Sequence, residues 1–316
     1  MDKRVYGVLG ISSIMANWNA DFSGYPKTTS DGMTFGSDKA FKYPMKKMWE
    51  NQGKNVVYIK SMRFDEGKKG EVNLIPKTLK ERYEQLYGAK DLEQKNVRQI
   101  LTNLFKAVDI KNFGATFAEA GANISITGAV QFGQGFNKYE DTDPQEQPIL
   151  SPFRDPSAKD KKADGEEAKN STLGTKIVSN EAHYFYPVTI NPLAYKGYVE
   201  LGVTEGYTEE DYQEFKAAAT TAATSYATNA KAGCENEFAL FVETEMDLYL
   251  PCLSEYITFG KGETKNTISL GDIPELLNQV KERILSVEIY YNPYTTEIEK
   301  KIEGARYYNI FTQKEV

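Results

Sequence analysis

Ile124-Ser125-Ile126-Thr127-Gly128-Ala129-Val130-Gln131-Phe132-Gly133-Gln134-Gly135 is the stretch on which the fold turns. Its glycines and Gln131 superficially suggest a phosphate loop. A P-loop, however, ends in Gly-Lys-Ser/Thr and opens a helix. Here the run up to Phe132 is rich in β-branched residues and reads as a strand at 123–132. It leads into Pro144, Pro148, Pro152 and Pro156, spaced four residues apart. Nucleotide binding is therefore rejected, and glycine here lets another backbone approach closely.

Upstream of it a second strand is expected at about 111–118. Residues 77–107 read as helical, with Leu79, Tyr83, Leu86 and Tyr87 at helical spacing, followed by Val97, Ile100, Leu101, Leu104 and Phe105. Val56-Val57-Tyr58-Ile59 reads as a strand. Before it, Phe41, Met45, Met48 and Trp49 fall at i, i+4, i+7 and i+8, one apolar helix face. Ser37 suits the N-cap, and Pro44 either kinks this helix or starts its regular part. Residues 16–36 form a polar loop, and 4–11 a buried strand around Val5, Val8, Leu9 and Ile11.

Downstream, residues 137–180 cannot bury a core of their own and read as an extended excursion. Ile149, Leu150 and Phe153 are its apolar cluster, which suits a docking role. A strand returns at His183–Ile190. A helix at 208–231 opens with Thr208-Glu209-Glu210-Asp211, a cap followed by acids that suit the helix dipole. Strands at 237–243 and 284–291 flank a helix at 273–283. The whole order is a decorated ferredoxin-like pattern of α+β class. It makes one domain over 1–316, with a helical insertion at 64–108 and a long insertion at 137–180.

Charge is distributed unevenly. The chain of 316 residues has 38 Lys and Arg against 45 Asp and Glu, a net −7. Residues 37–63 nevertheless carry seven cations against Asp38 and Glu50. Residues 205–256 hold eleven acids against Lys216 and Lys231. A bound polyanion is one reason for such an island. Lys39, Lys42 and Lys46 share a face, expected roughly opposite the aromatic one, that could track phosphates.

The remaining chemistry is sparse. His183 is the one histidine, which excludes a zinc site needing several, and it reads as structural. Cys234 and Cys252 lack CxxC spacing, and the reduced intracellular state is the simpler reading. The N-terminal apolar run is short and broken, unlike a signal peptide. No stretch approaches the ~20 apolar residues of a membrane span, so a cytoplasmic location is expected. In the loop Asn17-Trp18-Asn19-Ala20-Asp21-Phe22, the amides could bond sugar and base edges, and Trp18 or Phe22 could stack on bases. Asp21, Asp31 and Asp38 read as turn and cap residues, although one could act as a base for RNA cleavage.

Together these pieces resemble the backbone subunit of type I CRISPR surveillance complexes (Cascade), most closely the I-B version, within the RAMP superfamily. The resemblance covers most of the chain. It rests on Asn17-Trp18-Asn19-Ala20-Asp21 after the first strand and the basic helix Ser37-Asp38-Lys39-Ala40-Phe41-Lys42. It rests also on Phe113-Gly114, Thr127-Gly128-Ala129-Val130-Gln131, the long insertion and His183-Tyr184. Trp18, Ala20 and Ala129 depart from the family's Pro, Gly and Pro.

The resemblance implies an RRM-like palm with helical fingers at 64–108 and a thumb at 137–180. It implies a non-cleaving subunit, without cofactor or metal, stacked in several copies along a guide RNA. Implied RNA-binding residues are Asn17, Trp18, Asn19, Lys27, Ser37, Lys39, Lys42, Lys46, Lys47, Gly128, Gln131, Phe132 and Gly133, with Ile149, Leu150 and Phe153 as the thumb contact. Implied partners are guide RNA, the target DNA strand paired to it, neighbouring copies and other Cascade subunits. Related type III subunits cleave target RNA, a part that Asp21 or Asp31 could play here.

Overall fold

The structure, a computed structural model, describes residues 1–67, 71–154 and 170–316, with the backbone alone for 151–154 and 170–173. β1 (Lys3–Ala16) runs five residues past its expected end. Its alternation divides the interior, sending Val5, Leu9 and Ile11 to one core and Tyr6 and Val8 to another. The loop that follows ends in β2 (Phe35–Gly36). α1 (Asp38–Asn51) begins at Ser37, whose hydroxyl accepts from the Ala40 N–H, and buries Phe41, Met45 and Trp49. The helix continues through Pro44, which is itself buried. Lacking an N–H, Pro44 leaves the Ala40 carbonyl without its helical donor.

Val56–Ile59 is not a strand. The Asp109 carboxylate takes the N–H groups of Val57 at 3.0 Å and Tyr58 at 2.7 Å, so two donors that a ladder would use are spent. The insertion expected to be helical from residue 64 instead opens with a hairpin, β3 (Met62–Glu66) and β4 (Val72–Pro76). Helices follow: α2 (Leu79–Tyr87), α3 (Lys90–Glu93), α4 (Val97–Leu104) and α5 (Val108–Phe113). α2 has a Thr78–Glu81 capping box and ends at Gly88, φ 83°. The strand expected at 111–118 begins only after α5, as β5 (Gly114–Glu119), which pairs with β6 (Ala122–Thr127). Gly128 separates β6 from β7 (Val130–Phe132), so 123–132 is two strands.

β8 (Gly135–Asn137) leads to β9 (Pro144–Arg154) and β10 (Asn170–Ile190). The proline-rich excursion is therefore a two-stranded antiparallel ribbon where described, with Ser179 opposite Pro144 and Thr175 opposite Pro148. After β10 come α6 (Lys196–Glu200), α7 (Glu209–Ala219) and α8 (Ala222–Ser225). The helix expected over 208–231 opens with the Thr208–Asp211 capping box but breaks after Ala219. Asn236 holds the break. Its amide donates to the Ala219 carbonyl at 2.8 Å, and its oxygen accepts from the Ala223 N–H at 2.9 Å. β11 (Cys234–Glu245), β12 (Thr258–Gly260), β13 (Asn266–Ser269), α9 (Ile273–Asn278), β14 (Ile284–Tyr291), β15 (Thr296–Glu299) and β16 (Arg306–Asn309) complete the chain. α9 is shorter than the helix expected at 273–283, whose last residues form a 3-10 turn.

The main sheet runs β16-β14-β11-β1-β10-β8-β2, with β7 and β9 also on β10. β1 is antiparallel to both β10 and β11, and β10 is antiparallel to β7 and β8. The unit β1–α1–β7/β8–β10–α7–β11 thus has the split βαβ connectivity, with the first strand between the third and fourth. One core packs this sheet against α1, α4, α5 and α7, and the other packs it against α9 and the sheet β12-β13-β15.

Candidate nucleic-acid interface

Asn19 ties the polar loop to the basic helix. Its Oδ1 accepts from the Ser37 N–H at 2.7 Å, and its carbonyl accepts from the Lys27 N–H at 2.8 Å. This fixes the start of α1, whose first turn carries Lys39. Lys39 is exposed and, among the described residues, makes no ion pair. Lys42 pairs with Asp38 at 2.8 Å, and Lys47 with Glu50 at 2.8 Å. Lys27 is exposed above the Phe35 ring at 5.5 Å.

The lysine face is not opposite the aromatic one. At about 100° per residue, Lys39, Lys42 and Lys46 lie roughly 100° round from the Phe41–Met45–Trp49 face. Lys42 Nζ stands 5.2 Å from the Phe113 centroid and 5.7 Å from Phe132. Lys46 Nζ stands 5.9 Å from Phe113 and 5.7 Å from Tyr58. Phe132 packs in turn on Phe41 at 5.4 Å. Half-buried rings from α5, β7 and the 54–61 segment therefore floor a strip of ammonium groups. Cation–ring contact of this kind holds the charges in place at small energetic gain, about 0.5–1 kcal/mol each when exposed. Burial pulls the Lys46 pKa below the usual lysine value, with Asp109 acting against it. Lys46 also donates to the Tyr58 carbonyl at 3.3 Å.

Asn17 and Trp18 face inward. The Asn17 amide donates to the carbonyls of Gly24 at 2.9 Å and Ile177 at 3.1 Å. Trp18 is 1% exposed, donates its indole N–H to the Tyr186 hydroxyl at 2.6 Å and meets Phe41 edge-on. The ring open to solvent in this loop is Phe22, at the tip of a turn. Lys231, which the sequence reading did not single out, clamps the loop from below. Its ammonium donates to the carbonyls of Asn17 and Trp18 and lies 5.3 Å from the Trp18 ring. Burial lowers its pKa.

The glycine stretch serves the chain's own backbone. A Cβ on Gly128 would fall 2.2 Å from the Phe113 carbonyl carbon and 2.5 Å from the Gly114 nitrogen. The close approach read from the sequence is thus internal, between β7's entry and the end of α5. A Cβ on Gly133 would fall 2.6 Å from Pro187 Cγ. Gln131 is exposed and donates to the Gly128 carbonyl at 2.7 Å. Ile149 and Leu150 are exposed on β9, 39% and 64%, and the Phe153 side chain lies outside the described residues.

The carboxylates behave as turn and cap residues. Asp21 accepts from the N–H groups of Ser23 at 2.8 Å and Tyr25 at 3.0 Å. Asp31 accepts from the Thr29 hydroxyl, a bond that lowers its pKa. Among the described residues, no group of three or more His, Cys, Asp or Glu could hold a metal ion. His183 is buried between Glu237 at 2.8 Å and Glu181 at 3.0 Å and stacks on Phe259 at 3.6 Å. Burial pulls its pKa down, but the two carboxylates outweigh burial and the net shift is upward. Both ring nitrogens facing carboxylates suits the doubly protonated imidazolium.

A split βαβ sheet carrying a lysine strip on its first helix defines the class. The family model of CRISPR-associated protein Cas7 matches residues 3–272, and the chain belongs to that family. The fold is similar to a chain of a "CRISPR RNA-guided surveillance complex, pre-nicking", with TM-score 0.51 and 12% identity over 97% of this chain and 96% of that one. A chain of a "CRISPR RNA-guided surveillance complex" aligns at TM-score 0.46 and 13% identity over 98% and 93%. No curated protein matches the sequence.

Proposed function

We propose that this chain is a guide-RNA-binding backbone subunit of a type I CRISPR surveillance complex, of the I-B kind, present in several copies and non-cleaving. Membership of the Cas7 family supports it. The observation that carries it is the α1 strip, where Lys39, Lys42 and Lys46 lie on one face, with Lys42 and Lys46 over aromatic rings, in a chain of net −7. Phosphates of a single strand track such a strip without regard to sequence. The β9–β10 ribbon acts as the thumb toward a neighbouring copy, α2–α5 with their hairpin act as the fingers, and target DNA pairs with the exposed guide. Other Cascade subunits bind the ends of the filament, in the cytoplasm.

The test is guide-RNA binding by filter retention across a salt series. Lys39→Glu with Lys46→Gln is expected to weaken binding at least tenfold at physiological salt. Unchanged binding by this variant would refute the assignment of α1. Asp21 and Asp31 are occupied by their own turns, which favours the non-cleaving reading. Magnesium-dependent cutting of complementary RNA that disappears in Asp21→Ala would reverse that part.

A further inference from the structure

Tyr43 stands on the outer ridge of α1, and no role above uses it. It is 38% exposed, while every other large ring of the helix is buried. Its neighbours on the helix surface are Lys39 at i−4, Lys46 at i+3 and Lys47 at i+4. The Lys46 ammonium turns toward Tyr58 and Phe113 and Lys47 pairs with Glu50, while Lys39 is exposed and, among the described residues, makes no ion pair. The ring is braced. Tyr226, just after α8, meets it at 5.6 Å and 70°, edge against face. Bracing matters because a ring already held loses little freedom when something stacks on it. An exposed braced ring beside the exposed Lys39 matches the requirement of one nucleotide: a flat base beside a charged phosphate. Along the axis Tyr43 lies about 6 Å from Lys39 and about 5 Å from Lys46, about one turn from either.

We infer that Tyr43, held by Tyr226, is a stacking platform for one unpaired base of the bound RNA. This rests on the proposed RNA strip and deepens it, since the lysines supply the backbone contact and the ring supplies a base contact. A base at this position leaves the run of freely exposed bases. Such a contact prefers any base over none and does not read sequence, because every base has a stacking face.

The probe is a short single-stranded RNA compared with the same strand made abasic throughout, titrated against the full chain freed of nucleic acid. One stacked base is worth roughly five- to 150-fold in affinity. The native chain is expected to prefer the base-bearing strand by at least that lower factor. Tyr43→Ala is expected to cut this preference at least fivefold, and Tyr43→Phe to keep it, with thermal melting confirming that both fold. A preference unaltered in Tyr43→Ala overturns the platform. The outcomes stay separable, because Lys39→Glu weakens both strands alike if the strip binds phosphates. Failure of that control would strike the strip itself.

Discussion

At the scale of the residue, burial separates the side chains that hold the interface from those that form it. Trp18 holds it. Trp18→Ala empties a site 1% exposed against Phe41 and is expected to cost about 3–5 kcal/mol in urea denaturation. Trp18→Phe strands the buried Tyr186 hydroxyl and should cost about 1–3 kcal/mol. Lys39→Gln should leave stability within about 0.5 kcal/mol, as for other exposed positions. His183 gives a pH signature. Its folded pKa is raised, so its contribution is full below the unfolded value near 6.5 and is lost as pH rises through the folded value. The stability gap between the native chain and His183→Gln should therefore narrow from about pH 6.5 upward, and a gap that widens would contradict the buried imidazolium. Ser37 and Thr208 were legible as caps because a cap bonds within three residues. The clamp of Lys231 was not, since its partners lie 214 and 213 positions away.

At the scale of the element, periodicity found what packs and missed what is pinned by single side chains. The apolar face of α1 was readable because Phe41, Met45 and Trp49 repeat at helical spacing. The segment 56–59 was not, because its β-branched run is overruled by one carboxylate from α5. Nor was the break after α7, which a side chain of β11 makes. The hairpin β3–β4 and the ribbon β9–β10 are each two strands wide where described, and such pairs are marginal in water. Amide hydrogen exchange should be fast at 145–149 and 174–177 and slow at 184–189, where β10 lies in the main sheet. Protection gained by 145–149 on assembly with RNA would mark docking of the ribbon. Protection confined to α1 would argue against it.

At the scale of the whole molecule, an acidic chain carries a lysine strip on α1, and salt should report it. Each phosphate neutralised on a single strand contributes a slope of about −0.7 in log affinity against log salt. Lys39→Gln should shallow that slope by about 0.7, whereas Trp18→Phe should leave the slope of its folded fraction unchanged. The strand order was readable as a decorated ferredoxin-like pattern because α1 and α7 carry local caps and apolar faces between strands. The terminal strand β16 was not, because its parallel place beside β14 is a long-range choice. β10 runs unbroken from Ile190 at the heart of the sheet to Asn170 at the ribbon's described end. Twenty-one residues of strand span about 70 Å, of which the nine before Ser179 extend about 30 Å. That makes the strand a measuring rod whose unit is two residues. Adding two residues to each of β9 and β10 would move Ile149 and Leu150 outward by about 7 Å with their orientation kept, and adding one to each would turn them to the opposite side.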